Sequence, residues 1–210
     1  MSDALQPLAE KLRPKNFDEI IGHDKIFSKT GSLKRIIKKK LLSSFILWGP
    51  AGCGKTTIAK TVSKQFCTED FELSAVLSGV KDLRIIFEKA KKNFSEGRQT
   101  ILFIDEIHRF NKAQQDSFLP HIEKGVITLI GATTENPSFS IISPLLSRCQ
   151  VIKLEKLCKQ DLNLIKLKAE QFLGFDLPIT KAACEILFEM VDGDARYFLN
   201  IIEEISSLGN

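Results

Sequence analysis

The sequence has few of the residues that build metal sites and disulfide frameworks. Its 210 residues include three histidines and five cysteines. The cysteines are scattered, and no two of them form a Cys-x-x-Cys pair. This pattern argues against a zinc site and against a disulfide framework. Reduced thiols are typical of a reducing compartment, so we predict a cytoplasmic protein.

Long apolar runs are also missing. No stretch approaches the roughly 20 consecutive apolar residues that a helix needs to cross a bilayer. The opening stretch MSDALQPLAEKLRPK lacks the apolar segment of a secretory signal. We therefore predict no membrane contact. The net charge of +4 is small, so it permits a polyanionic partner without requiring one.

The remaining composition is that of a globular protein. Apolar residues make up 43% of the chain and charged residues 27%. This is enough apolar material for a sizeable core, and it excludes a disordered, collagen-like or coiled-coil chain.

Apolar runs alternate with helical segments up to about residue 154. The predicted strands are Ser44–Trp48, Glu72–Val76, Thr100–Asp105, Val126–Thr133 and Val151–Leu154. The predicted helices between them are Thr56–Phe66, Lys81–Ser95 and Lys112–Glu123. Alternating strands and helices indicate βαβ units, so we predict an α/β fold with a parallel sheet.

The pattern changes to purely helical periodicity near the end of the chain. The predicted helices there are Asp161–Phe172, Lys181–Val191 and Ala195–Leu208. We predict two domains, an α/β domain over residues 1–156 and a small all-helical domain over residues 157–210. The basic run Lys34–Lys40 belongs to an early helix, where it forms either a solvated face or a nucleic-acid contact.

A phosphate-binding loop follows the first strong strand. Residues 49–56 read GPAGCGKT and fit the pattern G-x-x-x-x-G-K-[ST]. Backbone N–H groups of such a loop and the next helix N-terminus bind phosphates, while Lys55 reaches the β- and γ-phosphates and Thr56 binds Mg²⁺. The residues predicted to bind nucleotide here are Gly49, Pro50, Ala51, Gly52, Cys53, Gly54, Lys55, Thr56 and Thr57.

Polar side chains end the next two strong strands. Asp105 and Glu106 follow four apolar residues, at the sheet edge where α/β proteins bind ligands. We predict that Asp105 holds Mg²⁺ and that Glu106 polarises the attacking water. Thr134 and Asn136 follow the strand after that. They either lie between the carboxylates and the γ-phosphate or form a simple turn before Pro137.

Two arginines are candidates for contact with the γ-phosphate. Arg148 lies in the turn Leu-Ser-Arg-Cys, and Arg196 lies at the start of the last predicted helix. Each either offsets charge in the transition state or forms a surface ion pair.

The order of these motifs resembles that of AAA+ ATPases. Three segments, Asp105–Gly125, Gly131–Phe139 and Leu145–Cys149, closely resemble the replication-associated recombination protein A family. That resemblance covers roughly residues 7–205. It implies a P-loop NTPase sheet, the AAA+ core, with a small helical lid. It also implies a DNA-dependent ATPase, related to clamp loaders, that uses ATP and Mg²⁺ in replication-fork maintenance, recombination and repair.

The resemblance also implies roles for individual residues. Arg13, Pro14, Ile21 and Gly22 match the N-terminal segment that packs around the adenine.

Four later residues match the catalytic positions of the family. Thr134 corresponds to the sensor-1 position, with Asn136 as its neighbour. Arg148 corresponds to an arginine finger that completes a neighbouring subunit's site. Arg196 corresponds to the sensor-2 residue of the lid, which contacts the γ-phosphate of its own subunit.

The implied partners are forked or single-stranded DNA, replication proteins and further copies of the chain, in a nucleoid-associated location. Two alternatives remain open. One is a clamp-loader subunit or a branch-migration motor. The other is a module that binds ATP without turnover, because the family's C-terminal oligomerisation region is absent from this sequence.

Overall fold

The computed structural model describes residues 6–38, 42–66 and 69–208. Lys39 and Lys40 of the basic run lie outside the described residues. The part of that run up to Ile37 lies in a helix, Ser32–Ile37. Within the described ranges, no helix is long and apolar enough to span a membrane.

Five parallel strands form the sheet of the described chain. They are β1 (Phe45–Trp48), β2 (Glu69–Ser74), β3 (Thr100–Asp105), β4 (Thr128–Thr133) and β5 (Gln150–Lys153). Their order is β2-β3-β4-β1-β5, with every pair parallel. The predicted α/β fold with a parallel sheet is confirmed. The carboxyl ends of β1, β3 and β4 therefore meet at one edge.

The predicted bounds of the second strand are wrong. β2 covers Glu69–Ser74, whereas the sequence predicted Glu72–Val76. Val76 and Leu77 are 65% and 87% exposed and lie in the turn after the strand. β2 is an edge strand, so hydrogen bonds to β3 rather than apolar burial fix its extent.

Helices surround the sheet. Those of the first 146 residues are α1 (Leu8–Lys11), α2 (Asp24–Phe27), α3 (Ser32–Ile37), α4 (Lys55–Gln65), α5 (Val80–Ser95), α6 (Lys112–Asp116), α7 (Leu119–Glu123), α8 (Pro137–Ser140) and α9 (Ser143–Leu146). The later ones are α10 (Lys159–Leu173), α11 (Lys181–Val191) and α12 (Ala195–Leu208).

The single helix predicted over Lys112–Glu123 is wrong, because the segment forms α6 and α7. Pro120 lies in the first turn of α7. A proline has no N–H group, and its ring clashes with the carbonyl group four residues earlier. That carbonyl belongs to Asp116, where α6 ends.

Side chains that alternate along the strands pack into two hydrophobic cores, one on each face of the sheet. Leu102 and Ile104 of β3 belong to one core, and Ile101 and Phe103 belong to the other. This alternation follows from the two-residue period of a strand. Burial on both faces explains the nearly continuous apolar sequence of the central strands.

The last three helices bury a third core together with α1. Phe188 of α11 and Phe198 of α12 pack there with ring centroids 5.5 Å apart. The backbone N–H of Ala195 donates to Gly52 O at 3.3 Å, so α12 begins against the phosphate-binding loop. The division into domains at residue 156 stays a prediction.

Candidate active site

The predicted phosphate-binding loop connects β1 to α4 and surrounds the side-chain ammonium group of Lys55. Lys55 is the first residue of α4 and is only 6% exposed. Its Nζ donates to Gly49 O at 2.8 Å and to Pro50 O at 2.7 Å. Gly52 and Gly54 have φ angles of +64° and +100°. The loop thus holds the buried ammonium group of Lys55 at the N-terminus of α4, an arrangement that favours phosphate binding.

Gly52 also packs against the start of α12. A Cβ atom at Gly52 would lie 1.8 Å from Oδ1 of Asp194, and that oxygen accepts the backbone N–H of Tyr197 at 2.9 Å. Only a residue without a side chain leaves room for this cap of α12.

We expect Gly52→Ala to destabilise the protein and to weaken ATP binding, because it adds a clash to an unfavourable backbone conformation. Gly97→Ala is the matched control, since Gly97 has a φ of +74° with no atom near its missing Cβ. The left-handed backbone conformation alone costs an alanine roughly 1–2 kcal/mol of unfolding free energy, and the clash at Gly52 should add to this cost. Denaturant unfolding and nucleotide titration measure the two effects. The free-energy costs of Gly52→Ala and Asp194→Ala should sum to more than the cost of the double variant. Strict additivity of the two costs would contradict the clash.

The two predicted acids lie at the carboxyl end of β3. Asp105 is the last residue of the strand, and Glu106 follows it with a left-handed backbone, φ +53°. Burial raises the pKa of Asp105, and the neighbouring charge of Glu106 raises it further, while Lys55 and Arg196 act in the opposite direction. A divalent cation beside Asp105 would offset this unfavourable burial of negative charge.

Thr134 contacts the second acid. Its Oγ1 donates to Glu106 Oε2 at 3.3 Å, so the ends of β3 and β4 are joined through the side chains predicted from sequence. Asn136 has a different contact, because its Oδ1 accepts the N–H of Ser138 and caps α8.

A cavity of about 480 Å³ unites most of the predicted residues. Its lining includes the loop residues, both acids, Thr134, Arg196 and the N-terminal segment. The predicted site residues in its wall are Arg13, Pro14, Ile21, Ala51, Gly52, Cys53, Gly54, Lys55, Thr56, Thr57, Asp105, Glu106, Thr134 and Arg196. Leu12, Ile165 and Leu199 add apolar surface.

Arg13 lines this cavity and also has buried hydrogen-bond donors without partners. Its Nη2 pairs with Glu10. Its Nε and Nη1 are buried and have no hydrogen-bond partner among the described residues. Buried donors without partners are costly, so a shift of the guanidinium group that gives them an acceptor would be favourable.

The predicted residues that lie outside the cavity wall are Gly22, Gly49, Pro50, Asn136 and Arg148. Gly49 and Pro50 act through their carbonyl groups, as described above, and Asn136 caps α8. Gly22 has a φ of +79°, and a Cβ there would lie 2.7 Å from Leu157, so it brings the N-terminal segment close to residue 157.

Arg148 lies away from the cavity and is held by its own chain. Its Nε donates to Glu123 Oε1 at 2.7 Å, and its Nη1 donates to Pro144 O at 2.7 Å. About a third of the side chain, 35%, is exposed. Arg148 precedes β5 at the amino ends of the strands, whereas the phosphate-binding loop follows the carboxyl end of β1.

Sequence reasoning gave no role to several residues near the site, among them His108 and Asp194. His108 contacts Glu106, and Asp194 contacts the loop and caps α12. His108 lies inside the motif segment Asp105–Gly125 that carried the resemblance, and Asp194 lies in the sequence Gly-Asp-Ala-Arg that ends at Arg196. Their positions in those motifs were the only sequence signal, because neither residue has a distinctive spacing.

Comparisons with known proteins agree with this geometry. The model of the ATPase family associated with various cellular activities (AAA) matches residues 45–156. Replication-associated recombination protein A of Escherichia coli K12 is 44% identical over 98% of this chain and 47% of its own length. The ATPase WRNIP1 of Dictyostelium discoideum is 46% identical over 94% of this chain and 23% of its own length. The chain thus spans about half, or less, of the length of these relatives.

A solved structure shares the fold. The RuvB Holliday junction branch migration motor of Thermotoga maritima superposes with a TM-score of 0.76 and 30% sequence identity, over 91% of this chain and 64% of that one. The resemblance to replication-associated recombination protein A, which the motifs predicted, is confirmed. The family match, the parallel sheet and the loop at its edge together show that the chain belongs to the AAA family of ATPases.

Proposed function

We propose that this chain binds ATP with Mg²⁺ and hydrolyses it to ADP and phosphate. The observation that carries the proposal is the single cavity that joins the phosphate-binding loop to Asp105, Glu106 and Thr134. Family membership supports nucleotide binding with a divalent metal, and the intact acids support turnover over a module that only binds ATP.

The loop end of the cavity suits the phosphates. Lys55 Nζ exchanges its contacts with Gly49 O and Pro50 O for phosphate oxygens. Thr56 and Asp105 supply the oxygen ligands that Mg²⁺ prefers, so the residues present fit this cation. When bound, Mg²⁺ would neutralise charge on the phosphates.

Other residues of the cavity wall suit the nucleoside. Pro14, Ile21 and Leu199 present apolar surface, and Arg13 adds a guanidinium group to the lining. We assign the adenine to these residues. Arg196, at the start of α12, carries positive charge close enough to act on Asp105, which supports a contact with the γ-phosphate in the same chain.

The direct test is phosphate release from ATP with Mg²⁺, measured for the chain and for Lys55→Ala. Turnover that is lost in the variant supports the proposal. ATP binding without turnover, at every protein concentration tested, would favour the module that binds only.

Nucleotide binding should change the fluorescence of Trp48. This is the single tryptophan of the sequence, it directly precedes the loop, and its ring lies 5.6 Å from Nζ of Lys153 on the neighbouring strand. We expect a saturable change on adding Mg·ATP, and no change in Lys55→Ala. A flat signal at nucleotide concentrations that saturate an independent binding assay would contradict this prediction.

We further propose that hydrolysis serves DNA replication and recombination, in the cytoplasm at the nucleoid. The name of the E. coli relative and its 44% identity support this role. The second candidate is branch migration, the activity named for the RuvB motor, which is 30% identical to this chain. Residues 157–210 would act as the lid, as the separate core of the last helices suggests.

DNA structure separates these candidates. Stimulation of ATP turnover by forked or single-stranded DNA supports the first role, and stimulation only by four-way junctions supports the second. Sedimentation of the chain at rising concentration tests whether copies associate.

A further inference from the structure

The side chain of His108 lies between the carboxyl ends of β3 and β4. His108 belongs to a short 3₁₀ turn, Ile107–Arg109, that begins directly after Glu106. Its side chain is only 4% exposed. Ile107 is fully buried, and a Cβ at Gly131 of β4 would lie 3.2 Å from its Cδ1. This packing ties the turn to β4 and so fixes the histidine between β3 and β4.

Both ring nitrogens of His108 face site residues. Nδ1 lies 2.9 Å from Thr133 Oγ1 and 3.2 Å from Glu106 Oε2. Nε2 lies 3.4 Å from Glu135 Oε1. The imidazole therefore connects the end of β3 to the segment that follows β4.

The hydrogen bonds of Thr133 indicate where the proton is. The Thr133 hydroxyl donates to Glu135 O at 3.3 Å and accepts the N–H of Glu135 at 3.1 Å. Its remaining capacity is that of an acceptor. Glu106 Oε2 is also an acceptor. With the Thr133 hydrogen on Glu135 O, both neighbours of Nδ1 accept, and they lie closer to Nδ1 than Glu135 Oε1 lies to Nε2. These distances favour hydrogen on Nδ1.

We propose that His108 is a positioning residue that orients the carboxylate of Glu106 through its Nδ1–H group. Thr134 Oγ1 contacts the same oxygen, Oε2, from the other strand end. A hydroxyl donor at 3.3 Å and a ring N–H at 3.2 Å from the same oxygen would together restrain the rotation of the carboxylate and direct Oε1 to the attacking water. A catalytic carboxylate acts efficiently only when neighbouring groups fix its orientation. The proposal rests on the proposed ATP hydrolysis.

Substitutions of His108 separate positioning from packing. His108→Leu fills the buried position with an apolar side chain of similar size but removes the Nδ1–H donor. We expect kcat to fall roughly 10- to 100-fold, the effect of losing a hydrogen bond to a charged group, with ATP affinity unchanged. His108→Asn keeps an N–H at the position of Nδ1 and should restore most of kcat. Arg109→Ala changes an exposed neighbour on the same turn and is the control.

A second measurement does not depend on turnover. Nitrogen-15 NMR of the imidazole groups reports which ring nitrogen carries the hydrogen, and His108→Leu identifies the signal among three histidines. We expect hydrogen on Nδ1 and a shifted signal in Glu106→Gln. Hydrogen on Nε2 alone, with a signal that Glu106→Gln leaves in place, would overturn the proposal. So would normal kcat in His108→Leu, or equal losses in His108→Leu and His108→Asn. A chain without turnover would refute the proposed function, and the NMR result would still decide the role of His108.

Discussion

Glu106→Gln should lower kcat by roughly 10²- to 10⁴-fold while leaving ATP affinity nearly unchanged. The glutamine side chain has the size of glutamate but cannot polarise a water molecule as a base. The proposed phosphate contacts come from the loop and from Lys55, whose Nζ now bonds Gly49 O and Pro50 O, and the substitution changes neither. Steady-state phosphate release gives kcat, and nucleotide titration of the same preparations gives affinity.

The neighbouring acid provides the matched control for this substitution. Asp105→Asn should instead raise the Mg²⁺ concentration needed for half-maximal turnover, because Asp105 is the proposed ligand of the cation. Turnover of Glu106→Gln at the parent rate would show that another group activates the water. An equal shift in Mg²⁺ dependence for both variants would remove the division of roles between the two acids.

Local patterns predicted the central sheet well, because its strands are buried on both faces. β1, β3 and β4 gave short apolar runs whose positions the structure confirms to within two residues. β2 was shifted, because an edge strand needs only one hydrogen-bonded neighbour and little burial. The break between α6 and α7 depends on Pro120, whose effect competes with the helical periodicity on either side.

The part of the site formed by the phosphate-binding loop and the two acids was predictable from the sequence. The loop follows β1 and the acids end β3, the two strands on either side of β4, so a parallel sheet places them at the same edge. The role of His108 was not predictable, since it depends on Ile107 packing over Gly131, a contact between distant segments. The orphaned nitrogens of Arg13 likewise depend on how the N-terminal segment folds against the cavity.

Whether the site is complete in one chain depends on the role of Arg148. Its guanidinium group lies outside the cavity and is fixed by Glu123 and by Pro144 O. These contacts fit either of two roles: a surface ion pair, or a rigid arginine presented to the cavity of a neighbouring copy. In one chain the transition state would have Lys55 and Arg196 as its positive side chains at the γ-phosphate.

Arg148→Ala should therefore bind ATP normally but turn over about 10³-fold more slowly in assembled protein, the effect of losing an arginine finger. Wild-type turnover per subunit should rise with protein concentration, because an isolated subunit lacks the arginine. Arg98→Ala is the control, as Arg98 is another exposed arginine paired with glutamates. Mixing Arg148→Ala with Glu106→Gln subunits should restore part of the activity, since some interfaces then join an intact Glu106 to an intact Arg148. If exchanging subunits stay inactive in the mixture, and wild-type turnover per subunit is independent of concentration, Arg148 acts only in the ion pair with Glu123.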